Sequence, residues 1–185
     1  MKFRLDDPAV LRGRLRACRA RRIALVHETN RIFDTAERRL LAADCGLRLR
    51  RQRPLDDAGP AAGTTLTYKG PRGAGPAKVR EEVETSVADS GAAARILERL
   101  GFNEVIVYEK RRETWRLDDC EVCLDELPKL GWFVEIEGPS REAVETARGR
   151  LELSAATPLQ ETYVELAATH GDPGPSDVRR LHFGT

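Results

Sequence analysis

Apolar and charged residues alternate one by one along several stretches of this chain. That period of two places successive side chains on opposite faces of a β-strand. In Leu47-Arg48-Leu49-Arg50, the two arginines share one face and the two leucines the other. Across Val79–Glu84, Arg80, Glu82 and Glu84 oppose Val79 and Val83. Glu135 and Glu137 oppose Val134 and Ile136, and Lys110 and Arg112 oppose Val105 and Val107. Strand-like runs are read at residues 2–5, 22–34, 46–53, 64–70, 78–87, 104–117, 120–124 and 132–138. Turn-rich loops separate some of them, PLDDAGPAAG over 54–63 and GPRGAGP over 70–76.

A helical period shows in four other places. Asp7-Pro8 offers an N-cap and a first-turn proline before Val10, Leu11, Leu15 and Cys18. Asp89 opens a second helix through Ile96, Leu97 and Leu100, stopped by Gly101. Ser140 opens a third, with Val144, Ala147 and Leu151 on one face. Thr157-Pro158-Leu159-Gln160 has the capping-box pattern and predicts a fourth that includes Leu159, Tyr163 and Leu166. Short strands joined by Gly/Pro punctuation, with helices at the periphery, predict an α+β fold built on an antiparallel sheet or barrel. Residues 1–170 read as a single domain without internal repeat, and 171–185, lacking periodicity, as a loosely ordered C-terminal tail.

The charge balance changes the picture. Lys and Arg total 31 against 30 Asp and Glu, a net charge of +1 that argues against a dedicated nucleic-acid binder. Yet charged residues make up 33% of the chain, above the roughly 25% of an ordinary domain. No stretch approaches the roughly 20 apolar residues of a membrane span, and no leader pattern is present, so a soluble, cytoplasmic protein is expected. Cys18, Cys45, Cys120 and Cys123 are scattered and read as reduced thiols.

A solvated amphipathic sheet would also alternate. Two features favour a pocket: the charged faces are segregated by sign, and the apolar faces suffice to pack against the four helices. Converging cations repel one another unless an anion lies between them, and converging carboxylates do so unless a metal bridges them. A polyphosphate with Mg²⁺ or Mn²⁺ satisfies both sets.

Other motifs carry less. Cys120-Glu121-Val122-Cys123 lacks a second CxxC or a flanking His, and its cysteines would face opposite sides of a strand, which disfavours zinc. His27, His170 and His182 are isolated, and the glycine-rich loop at 70–75 lacks the lysine-serine ending of a P-loop. Trp115 and Trp132 suit wall packing better than base stacking.

A series of motifs runs in order along nearly the whole chain, from Lys2 to about Leu166. It comprises Lys2-Phe3-Arg4, Phe33-Asp34-Thr35, Leu47-Arg48-Leu49-Arg50, Leu66-Thr67-Tyr68-Lys69-Gly70-Pro71, Arg80-x-Glu82-x-Glu84 and Lys110-x-Arg112. It ends with Leu124-Asp125-x-x-Pro128-x-Leu130-Gly131-x-Phe133-x-Glu135-x-Glu137-Gly138 and Tyr163-x-Glu165-Leu166. The series resembles the CYTH domain, or triphosphate tunnel metalloenzyme family, which groups class IV adenylate cyclases with thiamine triphosphatases and inorganic triphosphatases. The resemblance implies an antiparallel eight-stranded barrel-like tunnel with peripheral helices. By position, Lys2, Arg48, Arg50, Lys69, Arg80, Lys110 and Arg112 would bind the triphosphate, Lys69 and Arg112 acting in catalysis. Glu82, Glu84, Asp125, Glu135 and Glu137 would hold Mg²⁺ or Mn²⁺.

The implied partners are a nucleotide or an organic or inorganic triphosphate, with no nucleic acid or membrane, and a homodimer is compatible with the reading. The motifs look closest to the cyclase branch, with triphosphatase and non-catalytic polyphosphate binder as alternatives. One departure stands out. The family's first strand opens Glu-x-Glu-x-Lys, and with Lys2 as that lysine the glutamate positions fall at or before Met1, so weakened metal binding is expected. The second strand also carries Glu28, Asn30 and Ile32 where the family often has an aromatic.

Overall fold

Two long strands of β-branched, aromatic and charged residues carry the architecture. They are β2 (Arg21–Asp34) and β6 (Asn103–Leu117), paired antiparallel from Arg21↔Arg116 to Asp34↔Asn103. The computed structural model describes residues 1–57, 61–73 and 80–184. The remaining strands are β1 (Lys2–Leu5), β3 (Gly46–Pro54), β4 (Gly63–Lys69), β5 (Glu82–Ser86), β7 (Cys120–Leu127), β8 (Gly131–Glu137), β9 (Asp172–Pro173) and β10 (Arg179–Leu181). The helices are α1 (Pro8–Ala17), α2 (Arg39–Ala42), α3 (Ser90–Arg99), α4 (Arg141–Arg150) and α5 (Tyr163–His170). Eight main strands run antiparallel in the order β1-β8-β7-β6-β2-β3-β4-β5. The sheet is barrel-like without closing, because β1 and β5 remain its two ends.

Because β-strand side chains alternate, every strand gives one row to each face. Where helices cover them, the outer rows are apolar. Phe3, Val122, Leu124, Val134 and Ile136 pack against Leu11 and Leu15 of α1 and Val144 and Ala147 of α4. Phe33 and Leu49 pack against Ala94 and Leu97 of α3. Each such fully buried side chain contributes about 1.5–3 kcal/mol relative to exposure, and this leaves the inner rows free to be polar. On the inner face, α5 lies against Tyr108, Leu127 and Phe133 through Tyr163, Leu166 and Ala167.

The three helices read from Asp7, Asp89 and Ser140 begin there, each side chain accepting backbone N–H bonds of its first turn. The second buries Leu97, but Ile96 and Leu100 are 60% and 69% exposed. Its inward stripe runs through Ala94 and Leu97 instead. The fourth helix starts later than Thr157-Pro158-Leu159-Gln160 predicts. Thr162 forms the capping box with Glu165, while the Leu159 N–H donates to the Lys2 carbonyl and the Glu161 carbonyl accepts from Lys2 Nζ. Those long-range bonds hold 157–161 against β1 and outside the helix.

Of the strand read at 78–87, the described part is β5, while Lys78 and Val79 lie outside the described residues. Val83 is exposed, because β5 is the sheet's end strand with no helix over it. The tail is not loosely ordered over 172–181. β10 pairs parallel with β6 at Ile106–Tyr108, Leu181 is buried, and Gly171 permits the turn, since a Cβ there would lie 2.5 Å from the Ala167 carbonyl oxygen. Trp115 and Trp132 both pack in the outer wall. Among the described residues, no helix is long and apolar enough to cross a membrane.

A charged cavity as the candidate active site

The inner rows of the strands and the start of α5 enclose a cavity of about 500 Å³. Lys2, Arg48, Arg50, Lys69, Arg80, Lys110 and Arg112 all line it, as do Glu82, Glu84, Glu135 and Glu137. The register explains the convergence. Lys2 opposes Glu135, Arg112 opposes Asp125, Lys110 opposes Glu28, and Glu28 opposes Gln52. Cross-strand neighbours on one face are close enough to interact, so alternating charges become a lattice of pairs.

Arg112 and Asp125 form its centre. Asp125 is 0% exposed and accepts Arg112 Nε at 2.7 Å and Nη2 at 2.6 Å, the bidentate geometry a planar guanidinium favours. Arg112 Nη2 also donates to Glu135 at 2.5 Å, and the Tyr163 hydroxyl donates to Asp125 at 2.8 Å. Lys110 Nζ lies 3.4 Å from both Asp125 and Glu28. Glu28 in turn accepts Gln52 Nε2 at 2.9 Å. Lys2 Nζ stands 3.4 Å from Glu135 and 3.7 Å above the Tyr163 ring, a cation–π contact.

This packing shifts the ionisation of its members. Burial works against charge on Glu28, but Lys110, Arg112 and Arg50 overcome it and hold the carboxyl well below the usual range. Burial likewise opposes charge on Asp125, and Arg112 and Lys110 hold it low. Burial and Arg112 push Lys110 down, yet Asp125, Glu28 and Glu135 together keep it above an ordinary lysine. At Lys2 burial wins over Glu135, and its amine titrates below the ordinary value.

A pH dependence of stability follows. The lowered Glu28 and Asp125 stabilise the fold fully above the ordinary carboxylate value, and that contribution is lost as pH falls toward their shifted values. The raised Lys110 contributes below the ordinary lysine value, and its share is lost as pH rises through its shifted value. Denaturant midpoints should therefore form a plateau through neutral pH with an acid limb, and Glu28→Gln should shallow that limb. An unchanged acid limb in the variant would count against the assignment.

The opposite wall is more open. Thr67 Oγ1 donates to Glu84 at 2.6 Å, and Arg48 and Arg50 stand 3.9 and 3.7 Å from the same carboxylate. Lys69 pairs with Glu82 at 2.7 Å, and Arg80 reaches the Gly70 carbonyl at 3.5 Å. Among the described residues, Arg48 Nε, Arg50 Nε and Asn30 Oδ1 are buried without a hydrogen-bond partner. The two guanidinium Nε donors stand on adjacent inner-row positions of β3, and a buried donor of this kind is ordinarily satisfied.

Of the residues read from sequence, Asp125 is the one whose setting differs from its expected role. It is absent from the cavity lining, and Arg112, Lys110 and Tyr163 contact its oxygens, so here it positions cations. Sequence reasoning gave no site role to Glu28, Gln52 or Tyr163. The strand period does put Glu28 in one row with Asn30 and Ile32, but helical spacing gives no sign that Tyr163 enters a cavity.

Among the described residues, no three His, Cys, Asp or Glu side chains form a ready-made metal cage. Glu135 and Glu137 share one wall, Glu82 and Glu84 the other, and Glu137 makes no ion pair among the described residues. Hard carboxylate oxygens facing a cavity that also gathers cations fit a Mg²⁺-type ion. Such an ion takes one or two carboxylates and completes its shell with water and phosphate oxygens.

Comparison with known proteins agrees with this geometry. A curated relative from Methanocaldococcus jannaschii, named "Putative adenylate cyclase MJ0240", is 30% identical over 137 residues, 74% of each chain. The solved structure of PH1819 from Pyrococcus horikoshii OT3 superposes with a TM-score of 0.74 at 26% identity, covering 89% of this chain and 94% of the other. An adenylyl-cyclase-type protein from Hippeastrum, described as having a dominant triphosphatase activity, shares the fold with a TM-score of 0.62 at 18% identity, covering 88% and 90%. The CYTH domain profile matches residues 1–169, so the inward rows of Lys, Arg and Glu, the barrel-like sheet and the relatives converge, and the chain belongs to the CYTH domain family.

Proposed function

We propose that this chain is a divalent-metal-dependent enzyme that binds a triphosphate in its charged cavity, most closely of the adenylate cyclase type, converting ATP to cyclic AMP and pyrophosphate. The observation that carries the reading is the convergence of seven Lys and Arg side chains on one cavity, with orphan donors on Arg48 and Arg50. Phosphate oxygens are the acceptors that guanidinium forks and ammonium groups facing a cavity recognise best.

In this reading Arg112, held by Asp125 and Glu135, and Lys110, held by Asp125 and Glu28, enter the reaction already oriented. Donors fixed before the reaction stabilise developing charge without reorganising, which makes electrostatic preorganisation effective. Arg48, Arg50, Lys69 and Arg80 clasp the chain of phosphates from the opposite wall. Glu135 and Glu137, with Glu82 and Glu84 facing them, would hold Mg²⁺ or Mn²⁺, which neutralises phosphate charge when bound. In a cyclase the ribose 3′-hydroxyl attacks the α-phosphorus and pyrophosphate leaves.

A second reading, a triphosphatase in which water attacks the terminal phosphorus, has support from Lys2. Its lowered amine beside Glu135 gives up a proton more readily than Lys110. The fold relative with dominant triphosphatase activity points the same way.

Incubation with ATP, thiamine triphosphate or tripolyphosphate and Mg²⁺ or Mn²⁺ separates the readings. Cyclic AMP with pyrophosphate supports the cyclase, and orthophosphate release supports the hydrolase. Tight binding without turnover overturns both and leaves a polyphosphate-binding module. Glu137→Gln is expected to raise the metal concentration for half-maximal activity by at least the roughly 10-fold that loss of an outer-shell partner costs. Its unfolding midpoint should be unchanged, since Glu137 is exposed. Metal dependence identical to the parent would refute that role.

A further inference from the structure

We propose that Tyr163 is a positioning residue of the cavity, its ring holding the Lys2 and Lys110 ammonium groups in place for the phosphates without neutralising them. This rests on the triphosphate reading above and adds a residue to its machinery.

A lysine head is a point charge on a flexible stem, so it must be restrained to serve as a fixed donor. A carboxylate restrains it but also claims charge that a phosphate would otherwise meet. An aromatic face attracts an ammonium through its quadrupole and carries no net charge. Tyr163 lines the cavity and presents its ring to two such groups. Lys2 Nζ stands 3.7 Å from the ring centroid and Lys110 Nζ 4.8 Å, both within cation–π range. Tyr163 is only 6% exposed, and such contacts strengthen when water is kept away.

The ring is itself fixed. Its hydroxyl donates to Asp125 at 2.8 Å, and Phe133 meets it in a T-shaped contact with centroids 5.7 Å apart. Tyr163 opens α5 directly after the Thr162 capping residue, and Leu166, Ala167 and Leu181 pack in the same cluster. The chain leading to it is tied to Lys2 at both ends of that residue. The Leu159 N–H donates to the Lys2 carbonyl at 2.8 Å, and Lys2 Nζ donates to the Glu161 carbonyl at 3.0 Å. One short segment therefore fixes the backbone of Lys2, its ammonium and the ring beside it. Core packing alone asks nothing of a ring's electrons, whereas two cations over one ring do.

The experiment titrates tripolyphosphate into the full chain by calorimetry without divalent metal, so that binding is read without turnover. Position 163 is varied from Tyr163→Phe through phenylalanines bearing one, two and three ring fluorines, which drain the quadrupole while size changes little. Every member of the series lacks the hydroxyl, so its bond to Asp125 does not enter the comparison. Affinity should weaken stepwise, by about tenfold from Tyr163→Phe to the trifluorinated ring, the scale of a partly desolvated cation–π contact. Repeated in a Lys2→Met background, the total should shrink to about threefold, because the longer Lys110 contact alone remains. Affinity that is flat or rises with fluorination, or a series unchanged by Lys2→Met, overturns the inference while the triphosphate reading stands. A parent chain that does not bind tripolyphosphate overturns that reading, and the inference with it.

Discussion

Asp125→Asn is expected to destabilise the fold by about 3–5 kcal/mol, the cost of removing one member of a buried ion pair. The substitution keeps shape and volume, so the loss comes from charge. Asp125 is 0% exposed and is the counter-ion of Arg112 at 2.6–2.7 Å and of Lys110 at 3.4 Å. Without it, two cations remain in the interior with Glu28 and Glu135 alone to offset them. Tyr163→Phe is the matched control. It deletes a single hydroxyl bond to the same carboxylate, which contributes about 0.5–1.5 kcal/mol, or up to about 3 kcal/mol with a charged acceptor. Equilibrium denaturation of both variants checks the claim. If Asp125→Asn costs no more than Tyr163→Phe, the counter-ion role is wrong.

That prediction turns on a residue whose buried contacts no local pattern shows. An acid near the end of a strand, in a chain with acidic strands elsewhere, looks like one more metal ligand. Only the pairing of β6 with β7 sets Asp125 opposite Arg112, and only the docking of α5 brings a tyrosine hydroxyl onto it. Both are long-range contacts that no local period encodes. Glu28 carries no site role in the sequence pattern for the same reason, since its partners Lys110, Arg50 and Gln52 lie on two other strands.

What was legible rests on local rules. The period of two marked strands where charged and apolar residues alternate, as in Leu47–Arg50 and Val134–Glu137, because such a sheet is half-buried. Asp7, Asp89 and Ser140 marked three helix starts, because a capping side chain acts within its own turn. The fourth start failed where a good local signal at Thr157 met a competing long-range one. A backbone bond from Leu159 to Lys2 and the Lys2 ammonium on the Glu161 carbonyl keep that segment out of the helix until Thr162 offers a second, complete capping box. The tail failed likewise, its order coming from an exposed flank of β6 that β7 does not reach.

Arg112→Lys should lower kcat/KM for the preferred triphosphate by about 10²–10³, the loss seen when one preorganised donor to developing charge is removed. The charge is retained, so Asp125 keeps a counter-ion and the unfolding midpoint should fall far less than in Asp125→Asn. What is lost is the fork. Nε and Nη2 are spent on Asp125 and Glu135, and among the described residues Nη1 has no hydrogen-bond partner and is left for a ligand. A lysine ammonium, a single point on a flexible stem, cannot bridge both carboxylates and still present a fixed donor. The kinetic pattern carries the diagnosis. Equal falls in kcat and kcat/KM identify an interaction made in the transition state, whereas a raised KM with unchanged kcat identifies uniform binding. The preorganised lattice around Arg112 requires the first pattern, and the second would reduce Arg112 to one anchor among seven.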